Sequence, residues 1–564
     1  MSAAMPVTER APLGAVPAKI EPRLIPSLLE RAATVYPQRT AIDFLGRTWT
    51  YGEIAEQVER AARGLQDLGV RPGTRVGLCL PNTPYYVIAY FAVLKIGAVV
   101  VAMNPLYVER ELHHLLVDSG AELVIVPDLV AIHDKLLAAC AGTEVRHVVA
   151  ASLADVLPWA KSIGLRLFKR RELARIGQDP RHVRWSRLVS NRAAPDPVAQ
   201  SPSDLAVLQY TGGTTGEPKG AMLSHANLTA NSQQMVLHVG RPPDQQERTL
   251  GVLPLFHVFA LTTVLNYSVE TAAEMILLPR FEMDQFLATL KRTRPTQIFA
   301  VPTIYNAVNQ LDIARVPRLD FCHTCISGGA PLPLEVRQAF EERTGCRVVE
   351  GYGLSEASPI IACNPLNGGT VKANSAGPAF PGTVLEIRDL IDSTKLMPQG
   401  ERGEVCARGP QVMLGYWNRP DATEDCFIDG ALRTGDVGYF DEDGYLFLVD
   451  RIKDMLLCGG YNVYPRVIEE ALYEHPAVAE AVVIGLPDRY RGQAPKAFVT
   501  LRPDHPASAA ELCDFLRTRI SKIEMPREVE IRETLPKTLI GKLSKKELVA
   551  EEHAKAALQE DAAA

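Results

Sequence analysis

The sequence has no cysteine framework, no long uninterrupted apolar run and no large excess of charge of one sign, and each absence narrows what the chain can be. Its ten cysteines are scattered without framework spacing, which in a chain of 564 residues reads as reduced, buried thiols. Cys322 and Cys325 form one CxxC, but neither a second pair nor a histidine pair stands at zinc-ligand spacing, so both read as core thiols. The first residues carry no apolar leader and no lipidation motif, so the expected location is cytoplasmic. The longest apolar stretch, 85–103, is broken by Lys95 and Gly97 and follows Pro84. It predicts a buried helix and a strand rather than a membrane span. A net charge of -6 gives no basis for nucleic-acid binding. There is no internal repeat.

What is present is an ordinary globular composition, 47% hydrophobic and 22% charged, in a chain long enough for several core-forming units. Strand and helix patterns alternate: strands over 76–80, 98–102 and 123–126, with helices over 85–95 and 109–118 between them. Strand patterns return at 249–253, 275–278, 296–300 and 322–327. The alternation predicts an α/β chain with parallel sheets covered by helices. From 376 to about 450 short strands separated by turn pairs such as Asp429-Gly430 predict a β-rich subdomain. Beyond it, helices over 465–474 and 509–522 and strands over 478–484 and 494–501 predict a small α+β unit. The expected division is a large N-terminal domain, 1–450, and a C-terminal domain, 451–564, whose last residues, 550–564, fray.

Segment 157–175 stands apart. Lys161, Arg166, Lys169, Arg170, Arg171 and Arg175 against Glu172 give 6 − 1 = +5, interleaved with Leu157, Trp159, Ile163, Leu165, Leu167 and Phe168. Such a basic amphipathic helix lies on an anionic membrane surface or forms a solvated insertion; the pattern serves both.

The run Tyr210-Thr-Gly-Gly-Thr-Thr-Gly-Glu-Pro-Lys219-Gly220 follows the apolar stretch 205–208. Its glycines let backbone approach a phosphate chain, its threonine hydroxyls donate to phosphate oxygens, and Lys219 adds a positive charge. It is not a Walker A loop, because Lys219 is followed by Gly220 rather than Ser or Thr. A kinase or P-loop ATPase is therefore disfavoured.

This loop resembles the phosphate-binding signature of the adenylate-forming superfamily, which includes acyl-CoA synthetases, luciferases and peptide-synthetase adenylation domains. Seven further signatures follow in that superfamily's order over about residues 20 to 550. They are Pro254-Leu-Phe-His257-Val-Phe259-Ala, Ser327-Gly-Gly-Ala-Pro331, Gly351-Tyr-Gly-Leu-Ser-Glu356, Arg433-Thr-Gly-Asp436, Asp450-Arg-Ile-Lys-Asp454, Gly459-Gly-Tyr-Asn-Val-Tyr-Pro465 and Leu535-Pro-Lys-Thr-Leu-Ile-Gly-Lys542.

The resemblance implies a role for each. Thr211, Gly212, Gly213, Thr214, Thr215, Gly216 and Lys219 would hold the ATP phosphates. Thr214 and Glu356 would hold Mg2+, a hard cation that takes carboxylate oxygen and neutralises phosphate charge. Tyr352, with Gly329, Ala330, Gly351, Gly353 and Ser355 around it, would stack on adenine. Asp436 would accept from the ribose hydroxyls, Arg451 would reach the ribose or phosphate, and His257 would border the reacting carboxylate. Lys542 would stabilise the charge that builds at the α-phosphorus. Lys453 would be the hinge about which a mobile C-terminal domain swings, exchanging Lys542 for Gly459 and Gly460, which admit the pantetheine arm of coenzyme A. Taken alone, each residue has a blander reading: core histidine, turn aspartate, solvated lysine. The ordered set reverses those readings.

Within the superfamily the motifs are most similar to those of bacterial long-chain fatty-acid–CoA ligases, through 209–216, 221–225, 450–454 and 462–465. One departure concerns chain length: Ala431 stands where that signature has tryptophan. The implied reaction is ATP-dependent conversion of a medium- to long-chain fatty acid to acyl-CoA, releasing AMP and pyrophosphate. Medium-chain dicarboxylates remain open, as does a non-catalytic acyl or nucleotide sensor, although Glu356, Asp436 and Lys542 are all kept. A carrier-protein-loading module and a luciferase-like oxygenase fit less well. The resemblance further implies a membrane-surface role for 157–175, homodimers, and reversible acetylation of Lys542 by a lysine acetylase and deacetylase.

Overall fold

The apolar stretch 85–103 becomes a helix, Pro84–Lys95, followed by the strand Val99–Ala102. Pro84 starts the helix, where its missing N–H costs nothing. Every residue from Pro84 to Leu94 is buried, so the helix is apolar all round and sits inside the protein rather than on its surface. Lys95 ends it, reaching Glu30 at 2.7 Å and Glu59 at 2.9 Å.

The computed structural model describes residues 16–177, 181–211, 218–241, 244–458, 461–488, 491–502, 505–538 and 542–563. Two large sheets form the N-terminal part. One has eight strands, with the parallel strands Gln297–Ala300, Thr324–Ser327 and Val349–Gly353 near one edge. The other has seven, ending in the antiparallel pair Leu205–Thr211 and Lys219–Ser224. Their core strands are short, parallel and buried, as covered parallel sheets require. No helix among the described residues is long and apolar enough to cross a membrane.

The β-rich subdomain is a five-stranded antiparallel sheet built around Ala431–Phe440. Phe427–Ile428 and Ala431–Phe440 are joined by Asp429-Gly430, both at positive φ (48° and 79°), the tight turn that an Asp-Gly pair specifies. Ala431 is fully buried at the start of that strand.

The C-terminal unit is a second five-stranded sheet with helices Pro465–Tyr473, Ala509–Leu516 and Lys546–Ala563. It departs from the sequence reading in three places. The helix expected over 509–522 stops at Leu516; further on, the Ser521 N–H and O–H both donate to Glu524 and begin a separate turn. The strand expected over 478–484 runs to Asp488, because 485–488 keep pairing with 492–495. The tail expected to fray is helical through Ala563. Its first turn buries Leu548 against Val482, Ile484, Phe498 and Leu535, and Glu552 meets the buried Lys496 at 3.0 Å. The CxxC thiols are core residues as expected, with a third buried thiol, Cys346, whose Sγ lies 3.5 Å from the Cys322 carbonyl oxygen.

Candidate active site

The residues expected at the phosphates begin at the antiparallel pair closed by Thr211 opposite Lys219. Thr211 donates its hydroxyl to the Lys219 carbonyl at 3.3 Å. The pair is anchored from beneath: Tyr210 donates to Asp118 at 2.7 Å, and Arg419 holds the same carboxylate at 2.8 Å. Gly212, Gly213, Thr214, Thr215 and Gly216 lie outside the described residues, as do Gly459 and Gly460. Glu356 lies on the 3-10 turn Ser355–Ala357 that follows Val349–Gly353, which places Ser355 beside it. The Tyr416 hydroxyl donates to Glu356 Oε1 at 2.7 Å.

The residues expected at the nucleoside are carried by two adjacent parallel strands. Thr324–Ser327 runs into Gly328, Gly329 and Ala330, and Val349–Gly353 presents Gly351, Tyr352 and Gly353. Side chains are excluded here: a Cβ on Gly353 would lie 2.0 Å from the Pro359 carbonyl oxygen. Tyr352 donates its hydroxyl to Asp436 Oδ2 at 2.6 Å, and Arg451 Nε stands 3.1 Å from Asp436 Oδ1. The Asp436–Arg451 contact follows from register, since the two residues face each other across their strands. Burial pushes the Asp436 carboxyl up, with Arg451 and Tyr352 opposing that shift. Lys453 sits in the short turn Ile452–Asp454, where burial and then Arg451 push its ammonium down.

The C-terminal unit closes the site. Tyr464 and Val467 pack against Val437 and Val449 of the β-rich sheet, and Asn306 donates to the Ala479 carbonyl at 3.2 Å. In this arrangement the Lys542 side chain reaches Gly329: a Cβ built there would lie 2.9 Å from Lys542 Cε and 3.3 Å from Nζ. Burial, and secondly the Arg451 cation, lower the Lys542 ammonium to about 8, against the pull of Asp436. Burial, and secondly Lys542, lower His257 to about 3. His257 Nδ1 accepts from the Phe259 N–H at 3.3 Å, which places the proton of the neutral ring on Nε2.

Among the described members of the motif set, Lys542 stands within electrostatic reach of Arg451, Asp436 and His257, so an ammonium, a neutral imidazole and a carboxylate beside a guanidinium are brought together, and Glu356 lies on the turn that follows Gly353. Among the described residues no group of three or more histidine, cysteine, aspartate or glutamate side chains forms a metal cage. Sequence reasoning missed Tyr416 and Asp118. Tyr416 is 60 residues from the glutamate it touches, and no periodicity links them.

The AMP-binding enzyme family matches residues 29–417, and the AMP-binding enzyme C-terminal domain matches 467–542. The long-chain-fatty-acid–CoA ligase of Bacillus subtilis (strain 168) is 40% identical over 545 residues, covering 94% of this chain and 95% of its own. A feruloyl-CoA synthase of Amycolatopsis is 36% identical, covering 92% and 97%. Among solved structures, an anthranilate CoA ligase in complex with anthranoyl-AMP superposes with a TM-score of 0.84 at 28% identity, covering 95% and 98%. ATP-bound MatB from Rhodopseudomonas palustris gives 0.81 at 28%, covering 93% and 98%. The chain belongs to the AMP-binding enzyme family, the adenylate-forming CoA ligases that join a carboxylic acid to coenzyme A with ATP.

Proposed function

We propose that the chain converts a medium- to long-chain fatty acid to its CoA thioester in two steps on one site. A carboxylate oxygen of the acid attacks the α-phosphorus of ATP, and the bond to pyrophosphate breaks. The sulfur of coenzyme A then attacks the acyl carbonyl carbon, and AMP leaves. The observation that carries this reading is the Lys542 amine, delivered by the C-terminal unit to Gly329 beside Asp436 and Arg451.

Each residue has a task. Asp436 accepts from the ribose hydroxyls once ligand displaces the Tyr352 hydroxyl and Arg451; Tyr352 then serves as a face for adenine. Neutral His257 offers Nε2–H to the acid without adding a charge. Lys542 stabilises the charge that develops at the α-phosphorus, an interaction stronger in the transition state than in the ground state. Thr211 and Lys219 flank the phosphates. Glu356 fits Mg2+: it is a hard oxygen donor whose Oε2 accepts no hydrogen bond among the described residues, and a magnesium ion carried by nucleotide phosphates needs only one or two protein carboxylates. Glu356, with Thr214, would hold it, and the ion would supply charge neutralisation on the phosphates.

The second step needs a different wall around the acyl-adenylate. We place the domain boundary at 450/451 with Lys453 as the hinge, so that rotation withdraws Lys542 and admits Gly459 and Gly460 to the path of the thiol. Acetylation of Lys542 would remove its charge and silence the first step alone.

The fatty-acid assignment is supported by the 40% identical Bacillus relative, and the feruloyl-CoA synthase supports an aryl acid as the second reading. A further part of the proposal concerns the helix Trp159–Phe168, which leaves Trp159 79% and Phe168 87% exposed, with Ile163 and Leu167 beside them. With its surrounding basic side chains, this face suits an anionic membrane surface, where the substrate partitions. Lys542→Ala tests the core of the proposal. Acid-dependent pyrophosphate release should be abolished while acyl-CoA still forms from supplied acyl-adenylate; equal loss of both steps would contradict it.

A further inference from the structure

Tyr416 belongs to none of the motifs used so far, yet it meets two of the groups assigned to the phosphates, Glu356 and Lys219. Its hydroxyl donates to Glu356 Oε1 at 2.7 Å, and the Lys219 ammonium lies 5.2 Å from the centroid of its ring, within cation–π range. The side chain is fixed from several directions. The Tyr416 N–H donates to the Thr423 hydroxyl at 2.8 Å, and its backbone bridges Ala221 on the strand Lys219–Ser224 of the antiparallel pair. Next to it, the Trp417 N–H donates to the Gly220 carbonyl at 2.8 Å and the Trp417 indole to the Asp118 carbonyl at 3.1 Å. Three residues before it, the Met413 N–H donates to the Glu356 carbonyl at 2.8 Å. The segment 413–419 therefore straps the phosphate pair and the Glu356 turn to one another, and Tyr416 is the residue whose side chain meets both.

We propose that Tyr416 is a positioning residue for adenylation: its hydroxyl occupies one oxygen of Glu356 and turns the other toward the nucleotide-borne cation, while its ring holds the Lys219 ammonium at the phosphates. A carboxylate that accepts a directed hydrogen bond keeps one orientation, and an ammonium over an aromatic face keeps its charge without a neutralising carboxylate partner. Both grips on the phosphate chain thus depend on one side chain. This inference rests on the reading of Glu356 as the magnesium ligand given above.

The two contacts separate by substitution. Tyr416→Phe keeps the ring and removes the hydroxyl; Tyr416→Leu removes both. The measurement is calorimetric titration of ATP into wild type and both variants, once with Mg2+ and once with chelator, alongside thermal melting and acyl-CoA formation from supplied acyl-adenylate. Wild type should bind ATP more tightly with Mg2+. Tyr416→Phe should lose about tenfold of the affinity measured with Mg2+, the scale of one hydrogen bond to a charged group, and lose nothing in chelator. Tyr416→Leu should weaken ATP in both conditions. Both variants should stay folded, melting lower by about a few degrees for the lost hydrogen bond, and all three proteins should carry out the supplied-adenylate step alike. Tyr416→Phe gaining as much from Mg2+ as wild type overturns the proposal, and so does equal weakening with and without Mg2+, which marks a merely structural residue. If wild type itself gains nothing from Mg2+, the parent assignment of Glu356 falls and this one with it.

Discussion

Replacing Gly329 by alanine tests where Lys542 acts without touching the lysine itself. Gly329 has φ +80°, a region that costs an L-residue about 1–2 kcal/mol. The larger effect is local. The new methyl would sit 2.9 Å from Lys542 Cε and 3.3 Å from Nζ. Carbon–carbon contact relaxes near about 3.5 Å, so the lysine must retreat by roughly 0.6 Å or more. A displacement approaching 1 Å in a catalytic group can cost about 100-fold. Gly329→Ala should therefore slow acid-dependent pyrophosphate release by about 100-fold in single turnover, a barrier increase of about 2.7 kcal/mol. Conversion of supplied acyl-adenylate to acyl-CoA uses the same adenine pocket but not the lysine, and should be nearly unchanged. Undiminished adenylation would refute the placement of Lys542, and equal loss of both half-reactions would locate the damage in adenine binding instead.

The pH dependence of the two half-reactions should differ. The ammonium of Lys542 is the working form, and burial with Arg451 nearby lowers it to about 8. Adenylation should be full below that value and lost as pH rises through it, read as an alkaline limb in kcat/KM for ATP. The supplied-adenylate step should lack the limb, and a shared limb would assign it to another group. His257, lowered to about 3, should add no limb between the acidic range and neutrality. At the surface, flotation should recover the protein with vesicles containing phosphatidylglycerol and not with purely zwitterionic ones. The double change Trp159→Ser and Phe168→Ser should abolish recovery while melting stays constant; retained flotation would move the contact elsewhere.

Much of the candidate site is legible in the sequence because its expected chemistry is local: glycines where backbone must come close, and a carboxylate or lysine at a fixed offset from them. Asp436 and Arg451 could be named from their motifs, and strand register then explains why they meet. The alternation of strand and helix was equally legible, since parallel strands are short apolar runs and the helix 84–95 is apolar on every face. What escaped was non-local. Tyr416 serves Glu356 across a gap that only the fold closes, and Asp118 ties Tyr210 to Arg419, from the far side of the chain. The C-terminal helix reads as a fraying Ala- and Glu-rich tail, because its anchors, Leu548 and Val549 on the core and the ion pairs of Glu551 and Glu552 with Arg532 and Lys496, lie far away in the sequence. The helix ending at Leu516 was overextended by composition, because a serine-glutamate turn competes with helix a few residues later.

The central claim is that acyl transfer to coenzyme A proceeds through an acyl-adenylate made on this site. The most direct test incubates the purified protein with ATP, Mg2+ and straight-chain acids from butyrate to octadecanoate, with an aryl acid and a dicarboxylate alongside, and measures pyrophosphate and acyl-CoA separately. Pyrophosphate release should require the acid and be greatest with a medium or long chain, with acyl-CoA and AMP appearing only when coenzyme A is added. No pyrophosphate with any acid, or acyl-CoA formed with release of ADP and phosphate instead, would contradict it.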